Sequence, residues 1–182
     1  MKKILIFASG NGTNAKNIIA RLRGTGIGVC GLISSRPDAK AVEVAREEGI
    51  RCEIVGKGDL ESEGFLSLLK TLDPDLIVLA GFLLMVPKQI TDSFRVVNIH
   101  PSLLPKYGGK GMHGMKVHEA VIAAREKESG ITIHWANERY DEGEIIAQFR
   151  CEVSESDTPE TLASKIRALE MNNFPETICN IA

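Results

Sequence analysis

The chain lacks a long apolar run at its start: behind Met1-Lys2-Lys3 only Ile4 to Ala8 is continuously apolar. That is too brief for a signal h-region, and far short of the roughly 20 residues a membrane span needs. It lacks an excess of positive charge, with 22 Lys+Arg against 24 Asp+Glu and a net charge of −2. No overall field therefore draws it to nucleic acid or to anionic lipid. The four cysteines, Cys30, Cys52, Cys151 and Cys179, lie far apart among mostly apolar neighbours with no C-x-x-C pair, which argues for reduced thiols rather than disulfides or zinc. Internal repeats, linkers and low-complexity segments are missing too. These absences leave a cytoplasmic protein whose partners are small molecules, with no nucleic acid and no membrane. Residues 1–182 are expected to form one domain with enough chain for a sizeable core, monomer and homodimer both remaining open.

What is present first is an alternation of strand and helix signals. Ile4 to Ala8 has strand length and reads as a strand covered on both faces. Ser9-Gly10-Asn11-Gly12-Thr13-Asn14 follows, and then Ala15, Ile18, Ile19 and Leu22 recur at helical spacing, with Thr13 or Asn14 available as N-cap. A strand, a glycine turn and a helix start together favour an anion, because free backbone N–H groups and the helix dipole point into the turn. A phosphate group is accordingly assigned to Gly12, Thr13 and Asn14. The residues Gly10 to Ala15 also satisfy G-x-G-x-x-G/A, so an NADP-dependent oxidoreductase is the rival reading. The next strand, Val29 to Ser34, ends in Ser35-Arg36-Pro37, which offers no acid for a ribose but suits a 2′-phosphate.

The alternation continues through a helix over Ala39 to Glu48 with Ala41, Val42 and Ala45 inward and Gly49 capping it. A short strand over Cys52 to Val55 follows, then a loop over Gly56 to Asp59, a helix with Phe65, Leu66, Leu68, Leu69 and Leu72 on its apolar face, and a strand over Asp75 to Ala80. Pro87 starts a short helix. Later, a helix is expected from Met115 to Lys127, strands over Ile131 to Trp135 and Ile145 to Val153, and a last helix opening at Pro159 and reaching the 170s. The expected fold class is α/β: a Rossmann-like open sheet, mostly parallel, with antiparallel strands near the C-terminal end and helices on both faces.

Val96-Val97-Asn98-Ile99-His100-Pro101 is the stretch with the most pointed chemistry. Asn98 and His100 alternate with Ile99, so an extended strand turns both polar side chains the same way, and Pro101 ends the strand beside them. An amide donor and an imidazole at the carboxyl end of a strand suit oxyanion stabilisation and proton transfer. Leu83-Leu84-Met85-Val86 reads either as core or as an apolar wall for a planar ring. Among the other histidines, His113 and His118 are five residues apart, roughly 140° round a helix, and His100 and His134 fall on different strands without nearby cysteine. No metal site is expected, and the histidines read as separate polar residues.

Ser9-Gly10-Asn11-Gly12-Thr13-Asn14, Leu79-Ala80-Gly81-Phe82, Asn98-Ile99-His100-Pro101-Ser102-Leu103-Leu104-Pro105 and Asp141-Glu142-Gly143 resemble, in order and spacing, the folate-dependent formyltransferase family of purine synthesis. The resemblance covers nearly the whole chain. Ser-Gly-Asn-Gly-Thr-Asn points to the glycinamide ribonucleotide branch, without the further C-terminal domain typical of the methionyl-tRNA branch or the N-terminal regulatory domain of the hydrolase branch. It implies formyl transfer from 10-formyltetrahydrofolate, a co-substrate with no permanently bound cofactor, to the amine of 5′-phosphoribosylglycinamide in the synthesis of IMP.

Carried over residue by residue, the resemblance makes Asn98, His100 and Asp141 the catalytic trio. Gly12, Thr13 and Asn14 hold the 5′-phosphate, and Glu170 the ribose hydroxyls or the glycinamide end. Leu83, Leu84, Met85, Val86 and the turn Asn137, Glu138, Arg139, Tyr140 and Asp141 line the pterin pocket, and Asn98 is also a folate contact. The chain departs from the usual pattern at Gly108-Gly109-Lys110-Gly111-Met112-His113-Gly114, which replaces a shorter link after Tyr107. In Gly56 to Gly64 only Lys57 offers itself as a folate-tail contact. The implied chemistry is direct amine attack on the formyl carbon, with Asn98 and His100 stabilising the oxyanion and Asp141 orienting His100 and assisting proton transfer.

Overall fold

Ile4, Leu5, Ile6 and Phe7 expose none of their surface, as required of a strand with helices packed on both of its faces. They belong to β1 (Lys2–Phe7) in a seven-stranded sheet. The structure is a computed structural model describing residues 1–182. Along the chain follow α1 (Thr13–Leu22), β2 (Ile27–Ser34), α2 (Lys40–Glu47), β3 (Cys52–Ile54), α3 (Lys57–Leu60), α4 (Glu63–Leu72), β4 (Leu76–Leu79) and α5 (Lys88–Ser93). Then come β5 (Val96–His100), α6 (Met115–Ala123), β6 (Glu128–Trp135), β7 (Ile145–Glu152) and α7 (Pro159–Ile181). The sheet order is β3-β2-β1-β4-β5-β6-β7. Strands β1 to β5 pair in parallel, and β6 and β7 are added antiparallel. The sheet is therefore the mostly parallel one expected, with its antiparallel strands late in the chain.

Period-two alternation along β1 splits the apolar residues between two cores. Ile4 and Ile6 pack with residues of α1, α2 and α7, including Ile18, Ala41 and Phe174. Leu5 and Phe7 pack with Phe65 and Leu69 of α4 and Ile90 of α5. The strand order turns outward in both directions from the β1/β4 pair, and the crevice at such a switch point is where open α/β sheets place ligands. There the Ser9 N–H donates to the Gly81 carbonyl at 3.1 Å, tying the turn after β1 to the turn after β4.

Local differences from the sequence reading have identifiable causes. The N-cap of α1 is Gly12, at φ +70 with no side-chain cap, rather than Thr13 or Asn14. Gly12 lies against α2, where a Cβ would come within 2.9 Å of the Ala41 Cα. Close helix packing therefore selects the glycine. In α2 Val44 is buried beside Ala41 and Ala45, and Val42 packs against the same core while only partly buried. Gly56 to Asp59 is not a loop but leads into the single-turn α3, its Gly56 N–H held by the Asp59 carboxylate at 2.7 Å. Helix α6 stops at Ala123, short of Lys127, because Arg125 takes φ +53 and turns the chain into β6. Helix α7 outruns the 170s and ends at Ile181, started by Thr158 with Pro159 in the first turn.

Candidate active site

The same-face placement of Asn98 and His100 brings both to one small cluster. Strand β5 is paired on both edges: Asn98 faces Leu79 of β4 and His134 of β6, and His100 faces Thr132 of β6. Past Pro101 the chain folds back over β6, where Thr132 donates to the Ser102 carbonyl at 2.7 Å and accepts from the Leu104 N–H at 3.0 Å. The Ser102 hydroxyl donates to the Lys106 carbonyl at 2.6 Å. This folded loop returns the Tyr107 carbonyl to the His100 ring, 2.8 Å from Nε2. A carbonyl can only accept, so Nε2 carries the proton and Nδ1 is the nitrogen turned toward Asp141.

Asp141 comes from the turn between β6 and β7, in the left-handed region at φ +58. Its Oδ2 lies 3.3 Å from His100 Nδ1 and accepts the Gly109 N–H at 2.9 Å. Its Oδ1 accepts from Asn98 Nδ2 at 3.4 Å. Both side chains of the His100–Asp141 pair are more than nine-tenths buried. Burial pushes the His100 imidazole below its ordinary value, against the opposing pull of Asp141 and the Tyr107 carbonyl. Burial works in the raising direction on Asp141, yet His134, the His100 charge and the Gly109 N–H outweigh it and hold the carboxyl below the usual range. A buried, ionised carboxylate thus stands against an imidazole.

His134, by sequence a separate polar residue, is a further member of the cluster. Its Nδ1 donates to the Trp135 carbonyl at 3.0 Å, so Nε2 is an acceptor and takes a hydrogen bond from Asn98 Nδ2 at 3.1 Å. At 3.6 Å from Asp141 Oδ1, the same Nε2 lies beyond hydrogen-bonding distance of the carboxylate. Both hydrogens of the Asn98 amide are thereby engaged. A flipped amide would turn its oxygen to the carboxylate, so the network sets the orientation. The signal that could have found His134 is its alternation with Ile133, which gives Thr132 and His134 the same two-residue spacing as Asn98 and His100. His113 is exposed, whereas His118 on α6 is 6% exposed with an unpartnered Nδ1.

The other expected site residues fall into two groups. At the turn after β1, Gly12 is buried, Thr13 exposed, and Asn14 Nδ2 donates to Glu170 Oε2 at 3.0 Å. Asn17 Nδ2 reaches the Met171 carbonyl at 2.7 Å, so α1 and α7 are stitched at the same level. Burial raises the Glu170 carboxyl, partly offset by Asn14. In the segment after β4, Leu83 is half exposed, Leu84 and Met85 are partly buried, and Val86 is in the core with Phe7 and Ile90. Only the Val86 backbone is left to face a ligand. In the turn after β6, Asn137 Oδ1 accepts the Arg139 N–H at 2.9 Å, Arg139 pairs with Glu142, and Glu138 and Tyr140 are exposed. Leu84 and Ala136 both pack against the core that holds Val86 and Phe7. Lys57 is exposed at the start of α3.

Residues 2–178 match the model of a family described as formyl transferase. The phosphoribosylglycinamide formyltransferase of Bacillus subtilis is 33% identical, with 98% of this chain and 93% of that protein covered. The chloroplastic protein of that name from Arabidopsis thaliana is 36% identical over 97% of this chain, which spans only 64% of that relative's length. Among solved structures, phosphoribosylglycinamide formyltransferase from Bacillus halodurans superposes with a TM-score of 0.88 at 36% identity, covering 98% of this chain and 94% of the other. Glycinamide ribonucleotide transformylase 1 from Geobacillus kaustophilus does so with a TM-score of 0.88 at 30% identity and full coverage of both. The rival dinucleotide reading of Gly10 to Ala15 finds no support: the turn lies inside the family match, and the packing of Gly12 on α2 accounts for its second glycine. With the match running through nearly all of its length and the fold shared with solved members, the chain belongs to the formyl transferase family.

Proposed function

We propose that the chain transfers the formyl group of 10-formyltetrahydrofolate to the amine of 5′-phosphoribosylglycinamide, a step in the synthesis of the purine nucleotide IMP. The observation that carries this reading is the buried Asp141 carboxylate set against both His100 and Asn98 at the carboxyl end of β5. The amine nitrogen bonds to the formyl carbon, and the carbonyl oxygen becomes an oxyanion in a site with little water. The Asn98 amide supplies a fixed N–H to that oxygen. Its longer contact, 3.4 Å to Asp141, is the one the oxyanion displaces. His100, oriented by Asp141, stabilises the oxyanion beside Asn98. The amine loses a proton, which Asp141 takes directly or through water, and that proton passes on to the folate nitrogen as the carbon–nitrogen bond to it breaks. Atoms and charge balance without a metal or a redox cofactor.

Substrate placement is read from two groups of residues, one in the turn after β1 and one in the segments after β4 and β6. The backbone N–H groups at Gly12, Thr13 and Asn14 hold the 5′-phosphate at the start of α1, while Glu170, braced by Asn14, takes the ribose hydroxyls or the glycinamide end. Leu83, Leu84, Met85 and the Val86 backbone form one side of the pterin pocket, and Asn137, Glu138, Arg139, Tyr140 and Asp141 the other. The test is incubation with 5′-phosphoribosylglycinamide and 10-formyltetrahydrofolate, following formylated ribonucleotide and released tetrahydrofolate in equal amounts. Absence of product under conditions where both ligands bind would defeat the proposal.

A further inference from the structure

His100 donates a hydrogen bond from its Nε2–H to the carbonyl of Tyr107, and Tyr107 presents that carbonyl from a left-handed backbone at φ +57. A bulky residue at positive φ is uncommon and persists only where its surroundings over-determine it. Here the anchors are explicit. The Tyr107 hydroxyl donates to Glu126 Oε1 at 2.9 Å, and the Lys106 ammonium meets the same oxygen at 2.8 Å. On the loop itself, the preceding carbonyl, that of Lys106, is held by the Ser102 hydroxyl, and two residues on the Gly109 N–H is held by Asp141. Glu126 stands at the corner between α6 and β6, its own N–H bonded to the Val121 carbonyl at 3.3 Å. The corner is thus a fixed post from which the glycine-rich stretch after Tyr107 is tethered.

We infer that Tyr107 and Glu126 are a positioning pair for His100: Glu126, through the Tyr107 hydroxyl, holds the Tyr107 carbonyl where it fixes the plane of the imidazole and keeps the proton on Nε2. The pair's effect on turnover rests on the formyl-transfer reading above, but its effect on the His100 ring does not. With Nε2 committed to the carbonyl, Nδ1 is left to exchange a proton with Asp141. The charged ring is favoured by Asp141 from the β6–β7 turn and by the Tyr107 carbonyl, and disfavoured by burial and by His134 of β6. His118 of α6 also feels the His100 charge. Releasing the carbonyl therefore removes one of only two influences that favour the imidazolium.

The experiment uses the full chain carrying Tyr107→Phe, Glu126→Ala, Glu126→Gln or Tyr107→Phe/Glu126→Ala. NMR titration of His100 in the ligand-free protein is read beside kcat and KM for both substrates. Tyr107→Phe and Glu126→Ala should each move the His100 midpoint to lower pH by about half a unit and lower kcat about tenfold, a loss felt at the reacting centre rather than in binding. KM should stay within about twofold of the wild type. Glu126→Gln keeps an oxygen that accepts from the Tyr107 hydroxyl, so it should recover most of both effects. The double variant should be no worse than the poorer single one, because both changes cut the same tether. An unshifted His100 midpoint in both single variants, or losses that add in the double one, would overturn the pairing even with kcat reduced. If the wild type makes no formylated product, the activity reading fails while the titration still decides the pair.

Discussion

Asp141 Oδ2 stands 3.3 Å from His100 Nδ1, in a contact more than nine-tenths buried on both sides. The carboxylate arrives from a turn, the imidazole from a strand end 41 positions earlier. Because burial by itself disfavours the imidazolium, the charged ring depends on that carboxylate and on the Tyr107 carbonyl. The reactive arrangement is therefore held by the β6–β7 turn as much as by β5.

Asn98→Ala and His100→Ala should each lower turnover by roughly two to four orders of magnitude, the scale of losing an oxyanion donor or an acid–base group. Neither truncation opens the apolar core, so thermal melts should move by only a few degrees. Asn98→Ala also frees His134 Nε2 from its donor. Steady-state kinetics with near-normal turnover in either purified variant would remove that residue from the chemistry.

Gly12→Val should unfold the protein more readily rather than merely block a phosphate. It places a β-branched residue at φ +70 and drives its Cβ toward the Ala41 backbone, a strain on the order of 1–3 kcal/mol before any overlap is counted. The selective probe of the ribonucleotide site is instead Asn14→Ala, which removes the brace on Glu170. Calorimetry should show ribonucleotide affinity lowered about tenfold or more, the worth of a hydrogen bond to a charged group, with folate affinity unchanged. Thr13→Ala should be mild, since the backbone makes the contact. Equal loss of both ligands in Asn14→Ala would make the turn purely structural.

Stability should fall as the pH drops below about 6.5, the ordinary histidine value. His100 and His118 both have folded values lowered by burial, so the unfolded chain binds more protons in that range. The histidine contribution is thus fully present above 6.5 and is lost as the pH falls toward the folded values. His118→Leu removes one of these groups together with an unpartnered buried Nδ1. Urea denaturation at pH 7.5 and 5.5 should show a shallower acid loss in the variant, with stability at pH 7.5 equal or higher. A steeper acid loss in His118→Leu would contradict this assignment.

How much of this was legible beforehand depends on whether the signal is local. Asn98 and His100 share a face because of period-two alternation, and Pro101 marks the strand end; both can be read within six residues. His134 could not be placed that way, since its position opposite Asn98 depends on the antiparallel register of β5 with β6, set by pairing across 36 positions. Asp141 was reached through family resemblance, for its left-handed turn has no local pattern that singles it out. The packing partner of Gly12 has no local signal, because α2 approaches that turn only in the folded chain. Val86 suits a ligand wall or the core equally by sequence, and its burial beside Phe7 assigns the side chain to the core.

The most direct measurement is turnover of Asp141→Asn beside calorimetric binding of 5′-phosphoribosylglycinamide to the same variant. The amide keeps the shape of the carboxylate while removing its charge and basicity, so formyl transfer should drop by roughly two orders of magnitude or more. Ribonucleotide affinity, set at Gly12 to Asn14 and Glu170, should stay nearly intact, and the His100 titration should move to lower pH as its favourable charge is lost. Near-normal formyl transfer by Asp141→Asn, with His100 titrating as in the wild type, would contradict the assignment of Asp141 to the reaction.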